Sequence, residues 1–219
     1  MKNVAVILSG CGFLDGAEIR ESVLTLLALD TEGVQYKIFA PNKEQHHVVN
    51  HFKGEEATGE SRNVLEESAR IARGAIDDLE NLNVDEFDAL VMPGGFGVAK
   101  NFSSFAFEGI NASVDDSVVS KVIAFNSAAK PIGAICISPA LVALAIGKNN
   151  PILTIGTDAG TATELEKLGA KHQNCDTSDC VVDEVNKVVT TPAYMDDSAN
   201  LADIFSGISQ LVQNVIRLA

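Results

Sequence analysis

The sequence predicts an α/β fold, a three-layer sandwich in which a mostly parallel sheet carries helices on both faces, and three observations predict it. Strand-like apolar runs alternate with segments of helical period along the chain. The runs Val4–Leu8 and Ile132–Ile135 are continuously apolar, as strands covered on both faces must be. Glycine- or proline-containing turns follow several of these runs, at the edge where a parallel sheet presents the carboxyl ends of its strands. At 219 residues the chain suits a single domain over 1–219, with ample length for a core.

Taken in order, Val4–Leu8 is the first strand, ending in the adaptable loop Ser9–Gly16. Ile19, Val23, Leu26 and Leu27 fall at helical spacing between Ala17 and Asp30; Gly33 is a stop signal, and Val34–Ala40 alternates as a strand. The polar connection Pro41–Arg62, with His46, His47 and His51, is longer than ordinary loops, so it is expected to be an inserted element, either a lid or a dimer contact. A helix over Asn63–Ala72 and a strand over Phe87–Met92 come next, and the strand runs into Pro93-Gly94-Gly95-Phe96-Gly97. Val114, Val118, Val122 and Phe125 trace a helix face leading to Ile132–Ile135, after which Cys136 sits at a corner and Pro139 opens an apolar helix to Ile146. The remainder reads as a strand (152–155), a helix (162–168), two short strands (180–182 and 188–190) and a final amphipathic helix (201–218).

The formal net charge of −14 argues against sequence-independent binding to nucleic acid or to an anionic membrane, since both need basic surface. Four cysteines, Cys11, Cys136, Cys175 and Cys180, are too few and too unevenly placed for a disulfide framework. The apolar run at the N-terminus is too short for a signal peptide, and no stretch approaches the ~20 apolar residues that cross a bilayer. A cytoplasmic protein is the expectation, and no cofactor is expected.

Three features could carry chemistry. Cys136 sits where a strand meets a helix N-terminus, whose free N–H groups favour a thiolate. Gly94 and Gly95 follow another strand at the same edge, where their amides could hold an oxyanion. Glu18 and Glu21 open the first helix, again at that edge. Glu21 has Leu24 and Ala28 along its stripe whereas Glu18 has Ser22 and Thr25, so Glu21 is expected to be the drier acid and the functional one, with Glu18 as second candidate. Plain packing at Cys136 and a helix-dipole role for the acids are the alternatives. His46, His47 and His51, and the group His172, Cys175 and Cys180, lack the spacing of a metal site, so no metal centre is expected.

The combination of Glu21, Met92-Pro93-Gly94-Gly95 and Ala134-Ile135-Cys136-Ile137-Ser138-Pro139 resembles the DJ-1/PfpI superfamily. More narrowly, Leu8–Gly12, Asp15–Ile19, Glu60–Gly74 and Val189–Met195 look like its ElbB branch, an isoprenoid-biosynthesis-associated, amidotransferase-like group. The resemblance spans nearly the whole chain. It implies a flavodoxin-like sandwich, usually a homodimer, with Cys136 as nucleophile, Glu21 as its acid partner and amides near Gly95 and Ile137 as the oxyanion site. It also implies cofactor-independent glyoxalase activity of the lyase type, turning small dicarbonyls such as glyoxal or methylglyoxal into hydroxy acids. Many superfamily members carry a histidine after the cysteine or near the next strand. Ile137 and Thr157-Asp158 stand there instead, which argues against protease or glutamine-amidotransferase chemistry. The alternative expectation is a redox-sensing or regulatory module in which Cys136 is oxidised.

Overall fold

The computed structural model describes residues 1–219. In chain order the strands and helices are β1 (Asn3–Ile7), α1 (Ile19–Thr31), β2 (Gln35–Ala40), β3 (Val49–Asn50), β4 (Glu55–Glu56), α2 (Val64–Ile71), β5 (Ile76–Asp78), β6 (Ala89–Met92), α3 (Phe96–Lys100), α4 (Phe105–Glu108), α5 (Asp116–Ser127), β7 (Ile132–Ile135), α6 (Ser138–Ile146), β8 (Ile152–Leu153), α7 (Ala159–Lys167), β9 (Lys171–His172), β10 (Val181–Asp183), β11 (Val188–Thr191) and α8 (Leu201–Leu218). The main sheet has seven strands in the order β10-β11-β7-β6-β1-β2-β5. All pairings are parallel except β10 with β11.

The period-2 geometry of the strands divides the core in two. Ala5, Ile7, Leu90 and Met92 face a layer built from α3, α5 and α6, whereas Val4, Val6, Ala89 and Val91 face α1 and α8. The helices start where side chains can cap them. Asn63 accepts from the N–H groups of Leu65 and Glu66 (2.8 and 3.2 Å), Asn200 caps α8, and Pro139 takes the first turn of α6, where its missing N–H costs nothing.

Three expectations need correction. The strand expected over 152–155 does not join the main sheet, because the Ile152 and Thr154 N–H groups are taken by the side chains of Asp183 and Thr190 (2.8 and 2.9 Å); Ile152–Leu153 pairs with β9 instead. On α1 the apolar residues Ile19, Val23 and Leu27 stay about half exposed, while Glu21, Ser22, Thr25, Ala28 and Leu29 are buried. Small polar residues can face inward there because the Ser22 and Thr25 hydroxyls each donate to a carbonyl one turn back, at 2.7 Å. Ser22 and Thr25 therefore do not mark a wet stripe. Finally, the edge strand β5 has no counterpart among the expected elements, because its three half-buried residues are too short a run to register.

The connection 41–62 carries the β3–β4 hairpin and no helix, so His47 and His51 do not share a helical face. It is clamped onto the loop after β1. The Val49 N–H donates to Asp15 Oδ2 (2.7 Å), and buried Asn101 links three partners: its Nδ2 donates to the Ser9 and Asp15 carbonyls (2.9 Å each), and its Oδ1 accepts from the His46 N–H (2.8 Å). Asn101→Ala leaves all three groups unmet, and a buried unmet polar group costs about 1–3 kcal/mol. Urea denaturation of this variant is expected to show a loss of about 2 kcal/mol or more.

Candidate functional site

Cys136 occupies the corner between β7 and α6 with a left-handed backbone, φ 61°. A non-glycine residue held there costs of the order of 1–3 kcal/mol and persists only where its surroundings fix it. They do so here. The Cys136 N–H donates to the Thr191 carbonyl of the neighbouring strand (3.0 Å), and buried Ser138 donates from Oγ to the Pro93 carbonyl (2.8 Å), joining the corner to the turn after β6. The thiol is buried, with only 8% of the residue exposed.

Glu21 reaches the same point from α1 and is fully buried. Its Oε2 accepts from the Gly94 N–H (2.9 Å) and its Oε1 from the Tyr194 N–H (3.2 Å). Two other buried acids are better served. Glu67 is paired with Arg70 through two hydrogen bonds, and Asp183 accepts from three backbone N–H groups and the Asn186 amide. Glu21 has two N–H groups and no cation. Burial and the carboxylate of Glu18 accordingly push its pKa from 4.5 up to about 8, leaving it in the acid form at neutral pH. Burial and the neighbouring Glu21 carboxyl likewise hold the Cys136 thiol well above its ordinary value, against the pull of the Gly95 and Ile137 amides. The helix N-terminus does not overcome the loss of solvent, which corrects the expectation of a ready thiolate. Glu21 and Cys136 form one proton-sharing pair.

The elevated Glu21 value has a measurable sign. Glu21 binds its proton more tightly folded than unfolded, so its contribution to stability is full below about pH 4.5 and is lost as pH rises to about 8. The decline is of the order of 4 kcal/mol, since each pH unit is worth about 1.4 kcal/mol. Denaturant unfolding at pH 5, 6.5 and 8 is expected to show this slope in the wild type and to lose it in Glu21→Gln.

Of the residues singled out from sequence, Cys136, Glu21, Gly94, Gly95 and Ile137 converge. Gly94 does so in a different way than expected, because its N–H holds the Glu21 carboxylate and is not directed at the sulfur. The amides of Gly95 and Ile137 are the ones that bear on the thiol. Glu18 is the N-cap of α1: its Oε2 accepts from the Glu21 N–H at 2.6 Å, and its own N–H donates to the Gly94 carbonyl at 3.0 Å. His172 accepts from the Ile155 N–H (3.3 Å), and burial lowers its pKa. Cys175 and Cys180 are pushed up to about 12 and about 11 by burial and by Asp179. Nowhere do three His, Cys, Asp or Glu side chains converge as metal ligands would. Sequence reasoning missed Tyr194 and Thr191, which act through backbone atoms and so leave no residue-type signal.

The chain has relatives among known proteins. The glutamine amidotransferase-like class 1 domain-containing protein 3, mitochondrial, of Homo sapiens is 46% identical over 98% of this chain and 82% of its own length. The chain belongs to that glutamine amidotransferase-like class 1 family. The mitochondrial ES1 protein homolog of Rattus norvegicus, another relative, is 45% identical over 98% of this chain and 83% of that protein. The crystal structure of an isoprenoid biosynthesis protein with an amidotransferase-like domain from Ehrlichia chaffeensis superposes with a TM-score of 0.93 at 44% identity, over 100% of this chain and 99% of that one. A DJ-1 superfamily protein from Salmonella typhimurium shares the fold at 21% identity and a TM-score of 0.52, covering 100% and 88% of the two chains. No family model matches the sequence. The α/β flavodoxin-like fold is therefore established, and DJ-1/ThiJ/PfpI proteins share it. The cytoplasmic expectation is overturned, because the curated relatives from man, rat and zebrafish are named as mitochondrial proteins. Net charge and free cysteines do not separate one reducing compartment from another. No helix of this family member is long and apolar enough to cross a membrane.

Proposed function

We propose that this amidotransferase-like protein is a cofactor-independent, glyoxalase-like enzyme of the ElbB type, acting on small dicarbonyls. The observation that carries the reading is a buried thiol paired with a buried carboxyl of pKa about 8, beside two amides and with no histidine among the groups bearing on either. An acid tuned near neutral pH suits reversible proton transfer. A Cys–His pair of the kind that serves amide hydrolysis is not formed, since no histidine bears on the thiol.

In the reaction, Cys136 Sγ forms a bond to one aldehyde carbon of glyoxal, and the thiol proton ends on the new hydroxyl. The amides of Gly95 and Ile137 hold the oxygen while it carries negative charge. Ionised Glu21 then takes the hydrogen from that carbon as a proton and returns it to the neighbouring carbon, while the proton of the new hydroxyl passes to the oxygen of that neighbouring carbon, which leaves a glycolyl thioester on Cys136. Water cleaves the thioester to glycolate and restores the thiol. One glyoxal and one water give one glycolate, with no external oxidant or reductant. A small substrate matches a thiol only 8% exposed, and a homodimer is the assembly in which we expect the protein to work.

Incubation with a large excess of glyoxal tests the proposal. Glycolate is expected to accumulate to many equivalents per protein, at a rate that rises with pH towards about 8 as Glu21 ionises. Negligible turnover together with a stoichiometric, peroxide-dependent mass gain on Cys136 would overturn it in favour of a redox module.

A further inference from the structure

Apart from Cys136, the one ionisable side chain that bears on Glu21 belongs to Glu18, from its own helix; the other contacts are the backbone N–H groups of Gly94 and Tyr194. Glu18 in turn is faced by Arg20, whose guanidinium donates to the Tyr194 hydroxyl at 3.0 Å. Glu18 is only half-buried, yet it is fixed from both ends. Its N–H donates to the Gly94 carbonyl, its carbonyl accepts from the Ser22 N–H and Oγ (3.0 and 2.7 Å), and its Oε2 accepts from the Glu21 N–H at 2.6 Å. The approach of Gly95 is equally close, since a Cβ on that glycine would run into the Glu18 nitrogen. One residue thus ties the start of α1 to the turn after β6 and keeps a carboxylate within a single turn of the Glu21 side chain.

We propose that Glu18 is a positioning residue that decides which partner of the Glu21–Cys136 pair holds their shared proton. This role rests on the reading of Glu21 and Cys136 as a working pair. A negative charge beside Glu21 disfavours its carboxylate more than it disfavours the thiolate, since Glu18 bears on Glu21 and is not among the groups that bear on Cys136. The proton is therefore driven towards Glu21, and the fraction of the pair that carries a nucleophilic sulfur rises. An N-cap needs only an acceptor oxygen, which serine, threonine or asparagine supplies as well. A glutamate at this position adds the charge.

Glu18→Gln separates the two contributions, because the amide oxygen can still cap the helix while the charge is gone. The Glu21 carboxyl, followed by carbon-13 NMR of labelled side chain across the pH range, is expected to titrate at lower pH than in the wild type, with at least a threefold weaker hold on its proton. Alkylation of Cys136 by iodoacetamide at pH 9 is expected to slow about threefold, since an ionised carboxyl now keeps the proton on the sulfur. In a Glu21→Gln background the same Glu18→Gln change is expected to leave alkylation unchanged or slightly faster. An unmoved Glu21 titration in folded Glu18→Gln protein would overturn the proposal, and so would faster alkylation in the otherwise wild-type background, which would mean that Glu18 acts on the thiol directly. Neither readout uses glyoxal, so a failure of the dicarbonyl reaction and a failure of this role are told apart.

Discussion

Gly94→Ala is expected to destabilise the protein by about 3 kcal/mol or more and to abolish whatever chemistry Cys136 performs. A Cβ on residue 94 would stand 2.5 Å from the Cys136 Cβ, 2.7 Å from Glu21 Oε2 and 2.9 Å from the Ile135 carbonyl oxygen. None of the three can yield cheaply. Ile135 is the last residue of a central strand, Cys136 is fixed in a left-handed corner, and the Glu21 carboxylate is held by two N–H groups. Overpacking a well-ordered core costs typically 1–3 kcal/mol, and here the intruding methyl meets backbone on one side and the working pair on the other. Gly160→Ala is the control. Its Cβ would approach nothing closer than 3.4 Å, within a helix where alanine is favoured, so its denaturation midpoint is expected to stay at or slightly above that of the wild type.

The second large effect is expected from Glu21→Gln. Glutamine matches the shape of glutamate but cannot take up or release the proton that moves between the two carbons in the proposed reaction. A positioned acid–base group is worth about 10²–10⁴ in rate, and turnover should fall by that factor at pH 8. Binding of substrate should change far less, so the loss is expected in kcat and not in KM. The amide also turns one N–H donor towards either the Gly94 or the Tyr194 N–H, which adds a stability cost of about 1–3 kcal/mol. Glu21→Gln protein with unchanged kcat would remove Glu21 from the mechanism.

The sequence made the skeleton of this site legible because its main signals are local. Continuous apolar runs and helical spacing located β1, β6, β7, α6 and α8, and the parallel order brought the turns at Gly94 and Cys136 to one edge. The burial of Glu21 was also foreseen, although partly for a wrong reason. Leu24 and Ala28 do share its side of the helix, but Ser22 and Thr25, expected to be wet, are buried too because they satisfy their hydroxyls within α1. Long-range contacts were not legible. The Tyr194 N–H that holds Glu21 comes from 173 residues away, and Asn101 ties the loop after β1 to the insertion through backbone atoms whose positions depend on the whole fold. The state of the thiol was likewise hidden, because a helix N-terminus can be read from the chain whereas burial beside a carboxyl cannot. The compartment escaped for a different reason: composition does not encode it.

The claim on which the functional account turns is that the Cys136 sulfur forms the bond to substrate. Glycolate formed from glyoxal, quantified by mass spectrometry for wild-type and Cys136→Ser protein at equal concentration and at pH 8, tests it most directly. Serine keeps the size of the side chain and its place at the corner but is a far weaker nucleophile without an adjacent base. The wild type should form many equivalents of glycolate while the serine variant stays at the protein-free background. Glycolate formation by Cys136→Ser at the wild-type rate would contradict the account.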